Sequence, residues 1–253
     1  MVRALSRRRW LAWALGAMGV GAGPIAQALP ARALQFPRDH GSHPELRTEW
    51  WYITGYATAG GRPFGFQVTF FRSRMDATQA MQSAFAAKQL LFAHAAVTDV
   101  QGRRLLHDQR MARAGFGVAE ASEADTAVRL RDWSLRRQDT ARGKPDTATS
   151  RYTTQVVGEH FGLQLQFDAT QPLLLQGQQG LSRKGPQAAQ ASYYYSQPQL
   201  AVSGTLGLQG ERFEVTGRAW LDHEWSEALL HPEAVGWDWI GMNLDDGGAL
   251  TAF

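Results

Sequence analysis

No cysteine occurs in the 253 residues, which excludes a disulfide framework, a thiolate metal site and a lipid-modified cysteine anchor. Long apolar runs are missing too: the stretch at 12–23 is short and glycine-rich, unsuited to spanning a bilayer as a stable helix. There is no G-x-S-x-G nucleophile elbow, phosphate loop or G-x-G-x-x-G fingerprint, so three large enzyme classes lose their signature. His223-Glu224 is followed by Glu227 where a zincin helix needs its second histidine. A surplus of charge is also lacking. Of 26 basic residues five arginines lie before position 34, leaving 21 against 23 acidic ones. Near-neutrality removes the electrostatic footprint of a nucleic-acid binder, and none is expected as partner.

Those five arginines belong to a leader. Ser6-Arg7-Arg8-Arg9-Trp10-Leu11 is a twin-arginine pattern, the weak apolar run follows, and Ala31-Arg32-Ala33 is an A-x-A cleavage site. Residues 1–33 are therefore expected to be a signal peptide, with export of the folded protein to the periplasm or beyond. No transmembrane anchor is expected after its removal.

The mature part is rich in strand signals. Residues 47–74 read as a long β-hairpin turning at Gly60-Gly61, with the pairs Ala59/Arg62, Ala57/Phe64, Gly55/Phe66, Ile53/Val68, Trp51/Phe70 and Glu49/Arg72. One face is then an apolar ladder closed by opposite charges. The other is amphipathic, with Trp50, Tyr52, Thr54 and Tyr56 against Gly65, Gln67, Thr69 and Phe71. A central hairpin of a β-sandwich and a barrel wall whose amphipathic face lines a ligand cavity both fit. Residues 75–88 suggest a short helix or flap, 142–150 a polar loop, and 176–190 a mobile Gln/Gly-rich loop. Strand-like runs recur at 90–99, 103–109, 127–136, 152–157, 163–167 and 200–215, and no long amphipathic helix interrupts them. The fold class is all-β, an antiparallel barrel or sandwich.

Residues 217–247 hold four of the seven tryptophans beyond the leader, Trp220, Trp225, Trp237 and Trp239, interleaved with Asp222, His223, Glu224 and Asp238. Charged groups among aromatics form either a hydrogen-bonded structural corner or a reactive site. His223, flanked in sequence by two carboxylates and desolvated by tryptophans, is expected to titrate near neutrality. Asp39, His40 and His43 offer a D-H-x-x-H pattern too weak to assign a metal, and no cofactor is expected.

The motifs FPRDHGSHPELRTEWWYITGY, FGFQVTFFR, FAHAAVTD, SYYYSQPQL and GRAWLDHEWSEALL, followed by GWDWIGMNLDDG, resemble the AttH-like family, also called the carotenoid 1,2-hydratase-like or lipocalin-like secreted hydrolase family. The resemblance runs from about residue 36 to the end. It implies a lipocalin-like β-barrel over 34–232 and, at 233–253, the start of a second such barrel, truncated here. It further implies an apolar small-molecule ligand, of isoprenoid or lipid kind, and hydration or hydrolysis by acid/base chemistry. A carrier or an accessory component of an ABC-type export system is the alternative. The hydratase branch's H-x-W motif falls on His223 and Trp225, with Asp222, Glu224 and Asp238 as nearby carboxylates. Trp50, Tyr52, Tyr56, Trp237 and Trp239 are the expected ligand contacts.

Overall fold

The computed structural model describes residues 28–140, 150–228, 231 and 233–253. Fifteen strands are found among them, in order β1 (Thr48–Ala59), β2 (Arg62–Arg74), β3 (Gln89–Asp99), β4 (Arg104–Arg113), β5 (Ala119–Ala121), β6 (Ala127–Leu130), β7 (Trp133–Asp139), β8 (Ser150–Val157), β9 (Phe161–Asp168), β10 (Leu174–Leu175), β11 (Leu181–Arg183), β12 (Ala191–Leu208), β13 (Glu211–Ala228), β14 (Ile240–Asn243) and β15 (Ala249–Ala252). The first thirteen form one antiparallel sheet, ordered β4-β3-β2-β1-β13-β12-β9-β8-β7-β6-β5, with β10 and β11 paired on β12. Its two ends approach each other where β6 meets β3 and β4, so the sheet curls into a nearly closed barrel. Among the described residues the only helical pieces are two short 3₁₀ turns, Arg38–His40 and Asp76–Thr78. The second of these is what stands in the segment expected to be a helix or flap.

The β1–β2 hairpin has the expected register, Ala59↔Arg62 through Glu49↔Arg72. Gly60 (φ 55°) and Gly61 (φ 87°) supply the two left-handed residues that a twist-matched two-residue turn requires. Trp51, Ile53, Ala57, Phe64, Phe66, Val68 and Phe70 all point into the barrel and are buried. Leu91, Ala93, Ala95 and Val97 on β3 join them, as do Phe161, Leu163, Leu165 and Phe167 on β9. This alternation of inward apolar and outward polar residues along each strand fixes the inside. It also corrects the expected cavity: the dry face is the packed interior, and the amphipathic face of Trp50, Tyr52 and Tyr56 lies outside.

β12 and β13 are exceptional in being buried on both faces, from Ala191 to Leu200 and from Ala219 to Trp225. Two coverings explain this. The segment expected to be a mobile loop at 176–190 instead folds β11 onto β12. The β14–β15 hairpin is held against a bulge at Pro198-Gln199, where proline offers no N–H and Gln199 turns left-handed (φ 53°). There the Gln199 backbone N–H donates to Asn243 Oδ1 (2.8 Å), its side-chain amide donates to the Leu244 and Gly248 carbonyls (2.9 and 2.8 Å), and Asn243 Nδ2 donates to the Ala219 carbonyl (3.0 Å).

The twin-arginine run lies outside the described residues. Residues 28–33, assigned to the leader from sequence, are described and lie on the barrel. Arg32 pairs with Asp39 (2.6 Å), and the Tyr193 hydroxyl donates to the Pro30 carbonyl (2.6 Å).

Candidate functional site

Three adjacent strands, β1, β13 and β12, place the expected site residues, and their registers sort these residues onto two faces. Across the ladder Trp50 pairs with Glu224 and Glu224 with Tyr194; Tyr52 pairs with Asp222 and Asp222 with Ser196. One residue along, Trp51 pairs with His223 and His223 with Tyr195. Because side chains alternate along a strand, the first two rows face outward and the third inward. His223 is therefore not set between Asp222 and Glu224, as its neighbours in sequence suggest; the backbone of β13 separates them. Trp225 lies inward with His223.

The inner group is a dense polar network in which His223 and Glu49 are wholly buried and His40 and His43 almost so. Glu49 Oε1 faces His223 Nε2 (2.9 Å) and His43 Nδ1 (2.8 Å). Glu49 Oε2 accepts from Arg72 Nε, Ser42 Oγ and the His43 backbone N–H, each at 2.9 Å. His43 Nε2 meets Asp39 Oδ1 (2.9 Å), and the Tyr195 hydroxyl bridges His223 Nδ1 (3.2 Å) and His40 Nδ1 (2.8 Å). Trp225 stacks face to face on His43, ring centroids 4.0 Å apart. Burial pushes the His223 pKa down to about 4, the Glu49 carboxylate opposing only in part. The imidazole is thus neutral at pH 7, which corrects the expected titration near neutrality. Burial likewise works against Glu49, yet the bonds from His223 and His43 hold its carboxyl far below the usual range. For His43 burial is outweighed by its bonds to Asp39 and Glu49, and its pKa rises.

The outer group lines a cleft of about 160 Å³ walled by Trp50, Trp237, Trp239, Tyr194 and Phe253, with Glu224, Lys184 and Arg183 as its charged members. Glu224 accepts from Ser192 Oγ and pairs with Lys184 Nζ (2.9 Å). Lys184 Nζ also sits over the rings of Phe253 (3.8 Å) and Tyr194 (4.6 Å). Asp222 lies one row behind the wall, held by Ser196 Oγ (2.5 Å) and Trp220 Nε1 (2.8 Å), with the Tyr194 hydroxyl nearby, itself pushed well above the usual tyrosine range by burial and by the Asp222 and Glu224 charges. The Tyr194 hydroxyl accepts from Trp239 Nε1 (3.1 Å). Burial drives the Asp222 pKa up to about 7 against these bonds. Burial also raises Glu224, with Lys184 and Ser192 restraining it.

Of the expected residues the cleft thus gathers Glu224, Trp50, Trp237 and Trp239, with Asp222 behind it and Tyr52 edge-on to Trp239 (centroids 5.6 Å apart). Tyr56 is exposed farther along β1, and Asp238 is exposed between its two tryptophans. Tyr194, Lys184, Arg183 and Phe253 are cleft residues that the sequence did not single out. For Tyr194 a signal exists: it is the central tyrosine of a Tyr-Tyr-Tyr run, and alternation must set it opposite its neighbours.

The sequence profile of AttH-like proteins matches residues 27–253. A crystal structure from Nitrosomonas europaea, assigned as AttH, is 48% identical, superposes with a TM-score of 0.77 and is matched over 90% of this chain and 66% of its own. The chain therefore spans a little under two thirds of that neighbour. Kievitone hydratase from Nectria haematococca, 10% identical, shares the fold with a TM-score of 0.56 over 87% of this chain and 68% of its own. No curated protein matches the sequence.

Proposed function

The chain belongs to the AttH-like family, and on that premise we propose that its outer cleft binds an apolar small molecule and acts on it by acid/base hydration or hydrolysis. The observation that carries the reading is the pair of buried carboxyls at a tryptophan-lined cleft, Glu224 on its wall and Asp222 one row behind. Their environments divide the roles. Asp222, protonated up to about pH 7, is the acid, reaching the cleft through the Tyr194 hydroxyl. Glu224, beside the Lys184 ammonium, is the base.

For hydration, Tyr194 gives its proton to one alkene carbon as Asp222 replaces it, and the cation on the other carbon faces the indoles of Trp50, Trp237 and Trp239. Water adds to that carbon, and its proton passes to Glu224. Return of one proton from Glu224 to Asp222 through solvent closes the cycle. For ester hydrolysis Glu224 takes the proton of the attacking water, and the Asp222–Tyr194 pair protonates the leaving alkoxide. A hydratase among the fold relatives accords with the first version. His223 and Trp225, on the other side of β13, take no part in either.

The test is a polyene and a long-chain ester, each followed for binding by tryptophan quenching and for turnover by chromatography. Trp50→Ala weakens binding, whereas Glu224→Gln and Tyr194→Phe keep binding and lose about 10²–10⁴-fold in turnover. Tight binding by the wild type with no conversion of either compound leaves a carrier. We further propose that the protein works outside the cytoplasm. Replacing Arg7 and Arg8 by lysine should then leave unprocessed protein inside the cell.

A further inference from the structure

We propose that His43, Glu49 and His223 form, inside the barrel, a binding site for a first-row divalent cation, with zinc the reference case. The D-H-x-x-H spacing is too weak to assign a metal, and of its two histidines only His43 joins the set, His40 Nδ1 facing the Tyr195 hydroxyl. The set that converges comes from three distant segments: the loop before β1, β1 itself and β13. One ligand atom from each of His43, Glu49 and His223 lies within 4.8 Å of the others. Glu49 Oε1 lies 2.8 Å from His43 Nδ1 and 2.9 Å from His223 Nε2, so a parting of roughly half an ångström as an ion replaces the shared protons sets them as neighbouring ligands, and two imidazoles with one carboxylate form a donor set for zinc or iron(II) that leaves positions open.

Three further observations point the same way. First, both nitrogens of His43 face carboxylates, Asp39 and Glu49. A neutral imidazole carries one N–H, so one of these two contacts needs a second positive species, a proton or a metal. Second, each outer nitrogen already has an orienting partner, Asp39 for His43 and the Tyr195 hydroxyl for His223. That is the arrangement by which metal-bound histidines are oriented. Arg72, Ser42 and a backbone N–H take Glu49 Oε2, which directs Oε1 to the centre. Third, the indole N–H of Trp225, stacked on His43, is buried without a partner, an unpaired polar group beside the ligand set.

The experiment is metal analysis of the full chain purified from zinc-supplemented culture. About one equivalent per chain is expected, with a melting temperature that falls on chelation and recovers on adding zinc. The shift is about 10 °C for an ion at a thousand times its Kd. Cobalt(II) should give visible d–d bands in the wild type. Those bands report the donor set even where a ligand variant fails to fold. His223→Gln should lose the equivalent, and His160→Gln, at an exposed histidine, should keep it. Substoichiometric metal with no thermal response overturns the proposal and leaves His43 an imidazolium in a proton-bonded network. Metal retained by a folded His223→Gln overturns it as well.

Discussion

Asp222 lends itself to a quantitative trial. Its carboxyl is displaced from an ordinary 3.8 to about 7, roughly three decades of proton affinity at about 1.4 kcal/mol each, or about 4 kcal/mol. The folded state holds the proton more tightly than the unfolded chain. This contribution to stability is therefore complete below pH 3.8, declines as the pH rises, and is gone above about 7. Asp222→Asn replaces the carboxyl with a neutral group whose carbonyl can still accept from Ser196 and Trp220. The variant should match the wild type near pH 4 and exceed it by up to about 4 kcal/mol at pH 8. Glu224, also raised, contributes in the same direction as Asp222. The depressed His223 contributes oppositely, its stability being present above 6.5 and lost as pH falls towards 4. The quantity to plot is accordingly the difference between variant and wild type, from urea unfolding at intervals between pH 4 and 9, in which the other groups cancel. A difference that stays flat with pH, or a variant less stable than wild type at pH 8, refutes the assignment of Asp222 as a neutral buried acid.

Gly55→Val should destabilise by about 1–3 kcal/mol or more in thermal melts, since a Cβ there meets the Phe66 ring at 2.7 Å and the Arg218 carbonyl oxygen; an unchanged melting temperature would contradict the close approach of β1 and β13. Glu49→Gln strips the charge partner from Arg72, buried in a 2.9 Å ion pair, and should cost about 3–5 kcal/mol by denaturant titration, whereas loss of less than about 1 kcal/mol would show the network to be replaceable. Trp51→Ala, opening a hole in the interior, should lower stability by about 3–5 kcal/mol while leaving probe affinity of the folded fraction unchanged, the reverse of Trp50→Ala.

The hairpin was legible because two independent constraints agree in it. Gly60-Gly61 fixes the turn, and period-2 apolarity then fixes the register out to Glu49↔Arg72. Which face was inside was not legible, because both faces carry large aromatics and only the packing of distant β3 and β9 decides. The site at 222–225 was misread for a simpler reason. Adjacent residues in a strand are neighbours in sequence and strangers in space, so the carboxylates beside His223 lie behind the sheet, and its actual partner is Glu49, 174 positions away. Lys184 escaped notice because nothing local marks it, and the Tyr-Tyr-Tyr run that marks Tyr194 does not say which face it takes. Their role depends on β11 folding over β12 and on Trp239 arriving from the C-terminal segment. Arg72 was read as the partner of Glu49, but its burial depended on the loop before β1 closing over both.

The alternation along β13 makes that strand a partition one backbone thick between two compartments that do not communicate by side chain. Variation along it should then carry a rhythm. Changes at 219, 221, 223 and 225 would register as yield and solubility. Changes at 222 and 224 would register chiefly when a ligand is offered, and in how stability varies with pH. A single-residue deletion upstream in the strand would exchange the two sets at a stroke, presenting an imidazole to the solvent cleft and two carboxyls to the dry interior. Ordinary substitution can explore either compartment freely, and lineages descended from one such chain can diverge in what the cleft accepts without disturbing the barrel behind it.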